Sequence, residues 1–122
     1  LASDGLHKSA LYIADQFRGA GLRPLGGTYL HSWHESLAGY GNIELTNVVG
    51  MIPGVNRGVN AQPVILGAHY DHLGIDSETG EIHPGADDNA SGVSVLIEVA
   101  TKLFRGFTPH SYKSSNSAPN KI

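Results

Sequence analysis

The spacing of apolar residues predicts an amphipathic helix over residues 6–20. Four apolar side chains recur there at positions i, i+3, i+4 and i+7, on one face of a helix: Ala10, Ile13, Ala14 and Phe17. Asp4 precedes the segment as the expected N-cap. Gly21 suits the left-handed position after the last turn, and Pro24 prevents the helix from resuming. We expect this helix to serve packing alone.

A longer apolar stripe predicts a second helix over residues 91–105. Its members make one face apolar throughout: Val93, Leu96, Ile97, Ala100, Leu103 and Phe104. Glu98 and Lys102 stand four residues apart, in the order that favours an ion pair on a helix. Gly106 follows as the expected end of this helix.

Three segments between the helices are predicted to be strands. Residues 29–34 alternate between two faces, which favours a half-buried strand near a sheet edge. Residues 44–52 are rich in Val and Ile and end at Pro53-Gly54. Residues 64–66 form an unbroken apolar run, which is typical of a strand buried on both faces of a sheet. The combination predicts an α/β fold in which helices flank a mixed β-sheet.

Length and composition limit the classes of function. A chain of 122 residues without cysteine suits one domain that has neither disulfides nor thiolate zinc ligands. The net charge of −3 argues against a general nucleic-acid binder. No apolar run approaches the ~20 residues of a membrane-spanning helix. We therefore expect neither nucleic acid nor a membrane as a partner.

Acidic residues and histidines are concentrated in residues 69–98. Seven carboxylates lie there, and no Lys or Arg occurs between Arg57 and Lys102. Three of the seven histidines of the chain fall in the same stretch: His69, His72 and His83. Carboxylates gathered without counter-charges either spread over a solvated loop or surround a cation. The interleaved histidines favour the cation.

Two motifs in this stretch can carry chemistry. His69 and Asp71 follow the apolar run at a spacing that puts both on one face of a strand, where a carboxylate can orient a metal-binding imidazole. That spacing alone is common by chance. Residues 85–92 read Gly-Ala-Asp-Asp-Asn-Ala-Ser-Gly directly before the second helix. Asp87 and Asp88 there serve either as caps or as carboxylates that bridge divalent ions.

Together the two motifs resemble the N-terminal signatures of the two-zinc exopeptidases, the family of secreted bacterial leucyl aminopeptidases (metallopeptidase family 28). Residues 67–74 and 84–92 match these signatures nearly letter for letter, and residues 46–50 are similar to the strand that precedes them. The resemblance covers residues 1–106. It implies that this range is one domain, the N-terminal portion of the family's α/β/α sandwich.

The resemblance also implies roles for individual residues. His69 corresponds to a terminal ligand of one zinc ion, and Asp88 to the carboxylate that bridges two zinc ions. Asp71 corresponds to the carboxylate that orients the ring of His69. One or two Zn²⁺ ions are therefore expected, and other divalent metals can use the same ligands. Weaker candidate ligands are His72, His83, Asp87 and His110.

The sequence departs from the family pattern after the second helix. The family's remaining ligands, and the Glu-Glu pair that supplies its general base, have no counterpart in these 122 residues. Residues 107–122 are instead rich in serine and lack periodicity, and we expect them to be poorly ordered. Replacement ligands would come from a second copy of the chain or from one of five side chains: His72, His83, His110, Glu78 and Glu81.

Three functional hypotheses follow. The first is a metal-dependent, aminopeptidase-like peptidase in which metal-activated water attacks the N-terminal peptide bond, with a site completed by homo-oligomerisation. The alternative is a catalytically incomplete metal-binding module, and a structural domain with chance motifs is the third. The resemblance implies peptide substrates and a secreted or periplasmic location, although the sequence itself shows no signal peptide.

Overall fold

The computed structural model of the chain describes residues 3–54 and 62–107. These residues form two helices and three two-stranded antiparallel sheets, so the predicted α/β class is confirmed. The elements are α1 (Asp4–Gly19), β1 (Arg23–Pro24), β2 (Leu30–Leu37), β3 (Gly41–Val48), β4 (Gly50–Met51), β5 (Gly74–Ile75), β6 (Ile82–His83) and α2 (Ser91–Phe107). The predictions for His110 and for residues 108–122 lie outside the described residues.

The N-cap of helix α1 lies one residue earlier than predicted. The side chain of Ser3 accepts a hydrogen bond from the Leu6 amide at 3.1 Å, so Ser3 is the N-cap. Asp4 lies instead in the first turn, where it pairs with Nζ of Lys8 at 2.6 Å. Gly21 has a φ of 88°, which confirms the left-handed position predicted after the helix.

The core lies where α1 meets α2 and the start of the first hairpin. All four residues of the predicted apolar face of α1 are buried. Three of them, Ile13, Ala14 and Phe17, pack with Leu22, Tyr29 and Ala100. The hydroxyl of Tyr29 donates a hydrogen bond to the carbonyl of Leu22 at 2.5 Å. The fold therefore depends on one small apolar cluster, and few other residues among those described are buried.

Strands β2 and β3 form a hairpin, and the segment of residues 69–72 contacts its second strand. They pair antiparallel from Leu30 opposite Val48 to Leu37 opposite Gly41. The strand predicted over residues 29–34 forms as β2 and extends to Leu37. The single strand predicted over residues 44–52 forms as two strands, β3 and β4. Strand β4 pairs with β1, and β5 pairs with β6, in both cases antiparallel.

The prediction of a buried strand over residues 64–66 is wrong. The segment has no regular secondary structure, and Val64 and Ile65 are 90% and 86% exposed. An apolar run becomes a buried strand only where strands pair with both of its edges and helices cover its faces. Among the described residues, no strand pairs with this segment, so its side chains remain in solvent.

Helix α2 confirms the second predicted helix and extends it by two residues, to Phe107. Nζ of Lys102 lies 3.3 Å from Oε1 of Glu98, as the spacing predicted. Ala100 is buried in the core, and Leu96, Ile97 and Phe104 pack against that core. Neither helix in the described part of the chain is long and apolar enough to span a membrane.

Candidate functional site

The segment from His69 to His72 runs beside β3 and is fixed there by Tyr70. The phenol of Tyr70 donates a hydrogen bond to the carbonyl of Thr46 at 2.5 Å. Burial raises the pKa of the Tyr70 phenol, and the negative charge of Asp71 raises it further. Tyr70 thus contacts the hairpin through its hydroxyl.

An irregular helical turn, Ala86–Ala90, leads into α2 and carries the second motif. The backbone of Asp88 and Asn89 leaves the helical region, and the peptide bond between them is cis. Oδ1 of Asn89 accepts a hydrogen bond from the Gly92 amide at 3.2 Å, which caps α2. Because Asn89 supplies this cap, the carboxylate of Asp88 is available for other contacts.

The ring of His69 lies between the carboxylates of the two motifs. Its Nε2 is 3.0 Å from Oδ1 of Asp88, and its Nδ1 is 3.4 Å from Oδ1 of Asp71. Nδ1 also lies 3.3 Å from the carbonyl oxygen of Asp71. With a metal ion between Nε2 and Asp88, the ring proton would lie on Nδ1 and face Asp71, and Nε2 would be the donor atom to the metal.

The weaker candidates lie at the border of this arrangement. Nδ1 of His72 is 3.7 Å from Oδ2 of Asp88, which is too long for a direct hydrogen bond. The ring of His83 meets that of His72 edge to face, with centroids 6.4 Å apart. Asp87 contributes its carbonyl oxygen to Oγ of Ser91 at 2.7 Å, which is a contact made by its backbone.

The pair of His69 and Asp88 fits two ligands of one divalent cation. Tetrahedral zinc with bonds of about 2.0–2.2 Å places its donor atoms roughly 3.3 Å apart, close to the observed separation of the facing nitrogen and oxygen. The side chains are 54% and 70% exposed, so the pair is open to a metal ion from solvent.

Two donors are fewer than zinc takes from a protein. Structural sites use four protein ligands, and catalytic sites use three. Within residues 3–54 and 62–107, no group of three or more His, Asp or Glu side chains is arranged to hold a metal. A zinc site at this pair would therefore need ligands beyond the side chains that the described residues bring together.

The sequence motifs identified the three residues whose side chains meet, but not Tyr70, which attaches their segment to the hairpin. His69, Asp71 and Asp88 were selected from their motifs, and the structure brings all three to one place. Tyr70 was not selected. Its position between two candidate residues could have identified it, because the middle residue of an extended segment faces the side opposite to its two neighbours.

A comparison with known proteins matches the part of the chain that contains both motifs. The model of peptidase family M28 matches residues 47–114, more than half of the chain. This range contains the His69 segment and the turn that leads into α2. No solved structure matches the chain.

The similar proteins include leucine aminopeptidases and a subunit of a complex. A probable leucine aminopeptidase of Trichophyton verrucosum is 38% identical over 48% of the chain and 16% of its own length. Leucine aminopeptidase 1 of Emericella nidulans is 27% identical over 94% of the chain and 27% of its own length. The BOS complex subunit NCLN of Homo sapiens is 36% identical over 64% of the chain. The chain spans 13% of the length of the dog, rat and mouse forms of that subunit.

Proposed function

Because the chain belongs to peptidase family M28, we propose that His69 and Asp88 form part of the metal centre of an aminopeptidase-like hydrolase. The observation that carries this proposal is the 3.0 Å contact between Nε2 of His69 and Oδ1 of Asp88. The carboxylate of Asp71 on the far side of the imidazole supports it, because metal-binding histidines commonly donate their second nitrogen to such a group.

Each residue has a distinct task in this proposal. A bound divalent ion, zinc by family resemblance, supplies a Lewis acid and an activated water. His69 offers Nε2 as a neutral donor, and Asp71 keeps the proton of the ring on Nδ1. Asp88 offers one carboxylate oxygen beside Nε2 of His69, and its second oxygen lies on the side of His72. Its two oxygens face different histidines, and a bridging ligand needs two such donor atoms.

We propose that the remaining ligands and the general base come from outside the described residues or from a second copy of the chain. A homo-oligomer is supported by the exposed apolar segment of residues 64–66, whose side chains self-association would remove from water. Sedimentation at tens of micromolar tests this part, and a stable monomer would contradict it. Peptide substrates and a secreted or periplasmic location are further proposals from the family resemblance.

An assay of aminoacyl chromogenic substrates tests the proposed peptidase. Hydrolysis should be lost with a chelator, restored by zinc and abolished in Asp88→Ala. Activity that persists in Asp88→Ala or in the chelator would contradict a role for this residue and for the metal. The same measurements on Asp87→Ala control for the loss of one negative charge at the start of α2.

A second candidate is a metal-binding interaction module without catalysis. It is favoured by the incomplete ligand set among the described residues and by similarity to a protein named as a subunit of a complex. This candidate predicts zinc uptake that depends on Asp88, with no hydrolysis at any zinc concentration. Zinc-dependent hydrolysis would reject it in favour of the peptidase.

A further inference from the structure

The side chain of Asn89 contacts both of the segments that form the candidate site. Its Nδ2 donates a hydrogen bond to the carbonyl oxygen of His69 at 3.3 Å. Its Oδ1 accepts one from the Gly92 amide in the first turn of α2 at 3.2 Å. One amide group therefore connects the backbone of His69 to the helix that Asp88 precedes.

The space around Asn89 fits this side chain closely. A Cβ atom on Gly92 would lie 2.4 Å from Oδ1 and 2.7 Å from Nδ2 of Asn89. Any residue larger than glycine at position 92 would therefore displace the amide from its present place. Gly92 and Asn89 thus form a matched pair, which is a second observation independent of the hydrogen bonds.

We propose that Asn89 is a positioning residue that sets the separation of His69 and Asp88. This inference deepens the proposed metal centre and rests on it. Asp88 precedes Asn89 directly, so fixing the Asn89 side chain to His69 brings the Asp88 carboxylate to the His69 ring. Without that connection, the hydrogen bond from the Gly92 amide to Asn89 would still hold the start of α2, while the His69 segment would keep only its contacts with the hairpin and with Asp88.

Only an amide can make both contacts from this position. The carbonyl oxygen of His69 requires a donor and the Gly92 amide requires an acceptor, and the Asn side chain carries both. An ionised Asp has the same shape but only acceptors, so it keeps the cap and repels the carbonyl oxygen of His69. The exchange Asn89→Asp therefore separates the positioning role from the capping role.

The experiment compares the metal-free wild type with Asn89→Asp by nuclear magnetic resonance. In the wild type, the Hε1 proton of the His69 ring should show a nuclear Overhauser contact with the Hβ protons of Asp88. In Asn89→Asp this contact should disappear, while far-UV circular dichroism shows α2 intact. Asn42→Asp makes the same chemical change near the turn end of the β2–β3 hairpin and should preserve the contact.

Gly92→Ala provides a second variant that does not depend on the stability of Asn89→Asp. Alanine favours the helix, while its Cβ displaces the Asn89 amide, so the contact between His69 and Asp88 should again be lost. Zinc affinity should fall by about 10–100-fold in both variants, as is typical when groups behind a ligand are removed.

The outcomes separate this inference from the proposed function. A contact between His69 and Asp88 that persists in Gly92→Ala, or in a folded Asn89→Asp, would overturn the positioning role. A wild type that shows the contact but takes up no zinc would overturn the metal centre, while the comparison without metal still decides the role of Asn89.

Discussion

Nε2 of His69 lies 3.0 Å from Oδ1 of Asp88, although one residue follows the exposed 64–66 segment and the other precedes α2. Two exposed side chains do not hold such a contact by their attraction alone, because surface ion pairs are worth little. The backbone around them is instead fixed on both sides, by Tyr70 on the hairpin and by Asn89 at α2. The site is therefore set by its supporting residues.

Tyr70→Phe should destabilise the fold by about 0.5–1.5 kcal/mol, the usual net value of a hydrogen bond. The variant removes the donor to the carbonyl of Thr46 and leaves that oxygen unpaired beside a half-buried ring. Urea unfolding measures the change in the free energy of unfolding. Tyr12→Phe is the control, because Tyr12 is 60% exposed, and it should leave stability unchanged. Equal effects at the two positions would reject the anchoring role of Tyr70.

Ile13→Ala and Ile65→Ala should lower the free energy of unfolding by very different amounts, although the chemical change is the same. Ile13 is 6% exposed in the core, and its truncation should cost about 2–5 kcal/mol of unfolding free energy. Ile65 is 86% exposed, and its truncation should stay within about 0.5 kcal/mol. Chemical denaturation of both variants, at a concentration where the wild type is monomeric, tests the burial assigned to residues 64–66. A large loss in Ile65→Ala would show that this segment is covered.

The turn between β5 and β6 should weaken in acid. Hydrogen bonds from the Thr79 and Glu78 amides, followed by one from the Thr79 hydroxyl, lower the pKa of the Asp76 carboxyl. A lowered pKa in the fold means that the contribution to stability is present above the unfolded value of about 3.9. That contribution is lost as the pH falls through the lower folded value.

Amide exchange at Glu78 and Thr79, corrected for its intrinsic pH dependence, measures this weakening. Protection should fall below about pH 4 in the wild type. In Asp76→Asn, protection at neutral pH should already be lower and should not respond to acid in this range. Acid-sensitive protection that persists in Asp76→Asn would assign the effect to another carboxylate.

Asp71→Asn should weaken zinc binding without removing a ligand. The amide cannot accept the Nδ1 proton of His69 as strongly as the carboxylate does, so the ring is less well oriented. Groups in this position typically account for 10–100-fold in metal affinity, and we expect about that loss. Competition with a chromophoric chelator measures it. Glu78→Gln removes the same charge from the acidic stretch, and an equal loss there would attribute the effect to net charge alone.

The helices could be predicted from the sequence because their apolar positions are local information. Both helices form within two residues of the predicted ends. The N-cap of α1 is Ser3, the neighbour of the predicted Asp4, and both residue types favour that position. Residues 64–66 could not be predicted in the same way. Whether an apolar run is buried depends on strands and helices elsewhere, and none of the described ones covers it.

The residues of the candidate site that belong to local sequence motifs could be predicted. His69, Asp71 and Asp88 were selected from their spacing and from family resemblance, and the structure places their side chains next to one another. Their roles as ligands stay predictions. Asn89 was not among the candidate residues. Its second contact joins segments that are distant in sequence, so no local pattern could reveal the hydrogen bond to the carbonyl of His69.

Calorimetric titration with zinc of the wild type, Asp88→Asn and Asp87→Asn tests the central claim most directly. The two variants lose the same charge at neighbouring positions, but only Asp88 places its carboxylate against Nε2 of His69. We expect the wild type to bind zinc, Asp87→Asn to bind it with an affinity within about twofold of the wild type, and Asp88→Asn to lose more than about tenfold in affinity. Equal affinities of all three proteins for zinc, or no binding by the wild type, would contradict it.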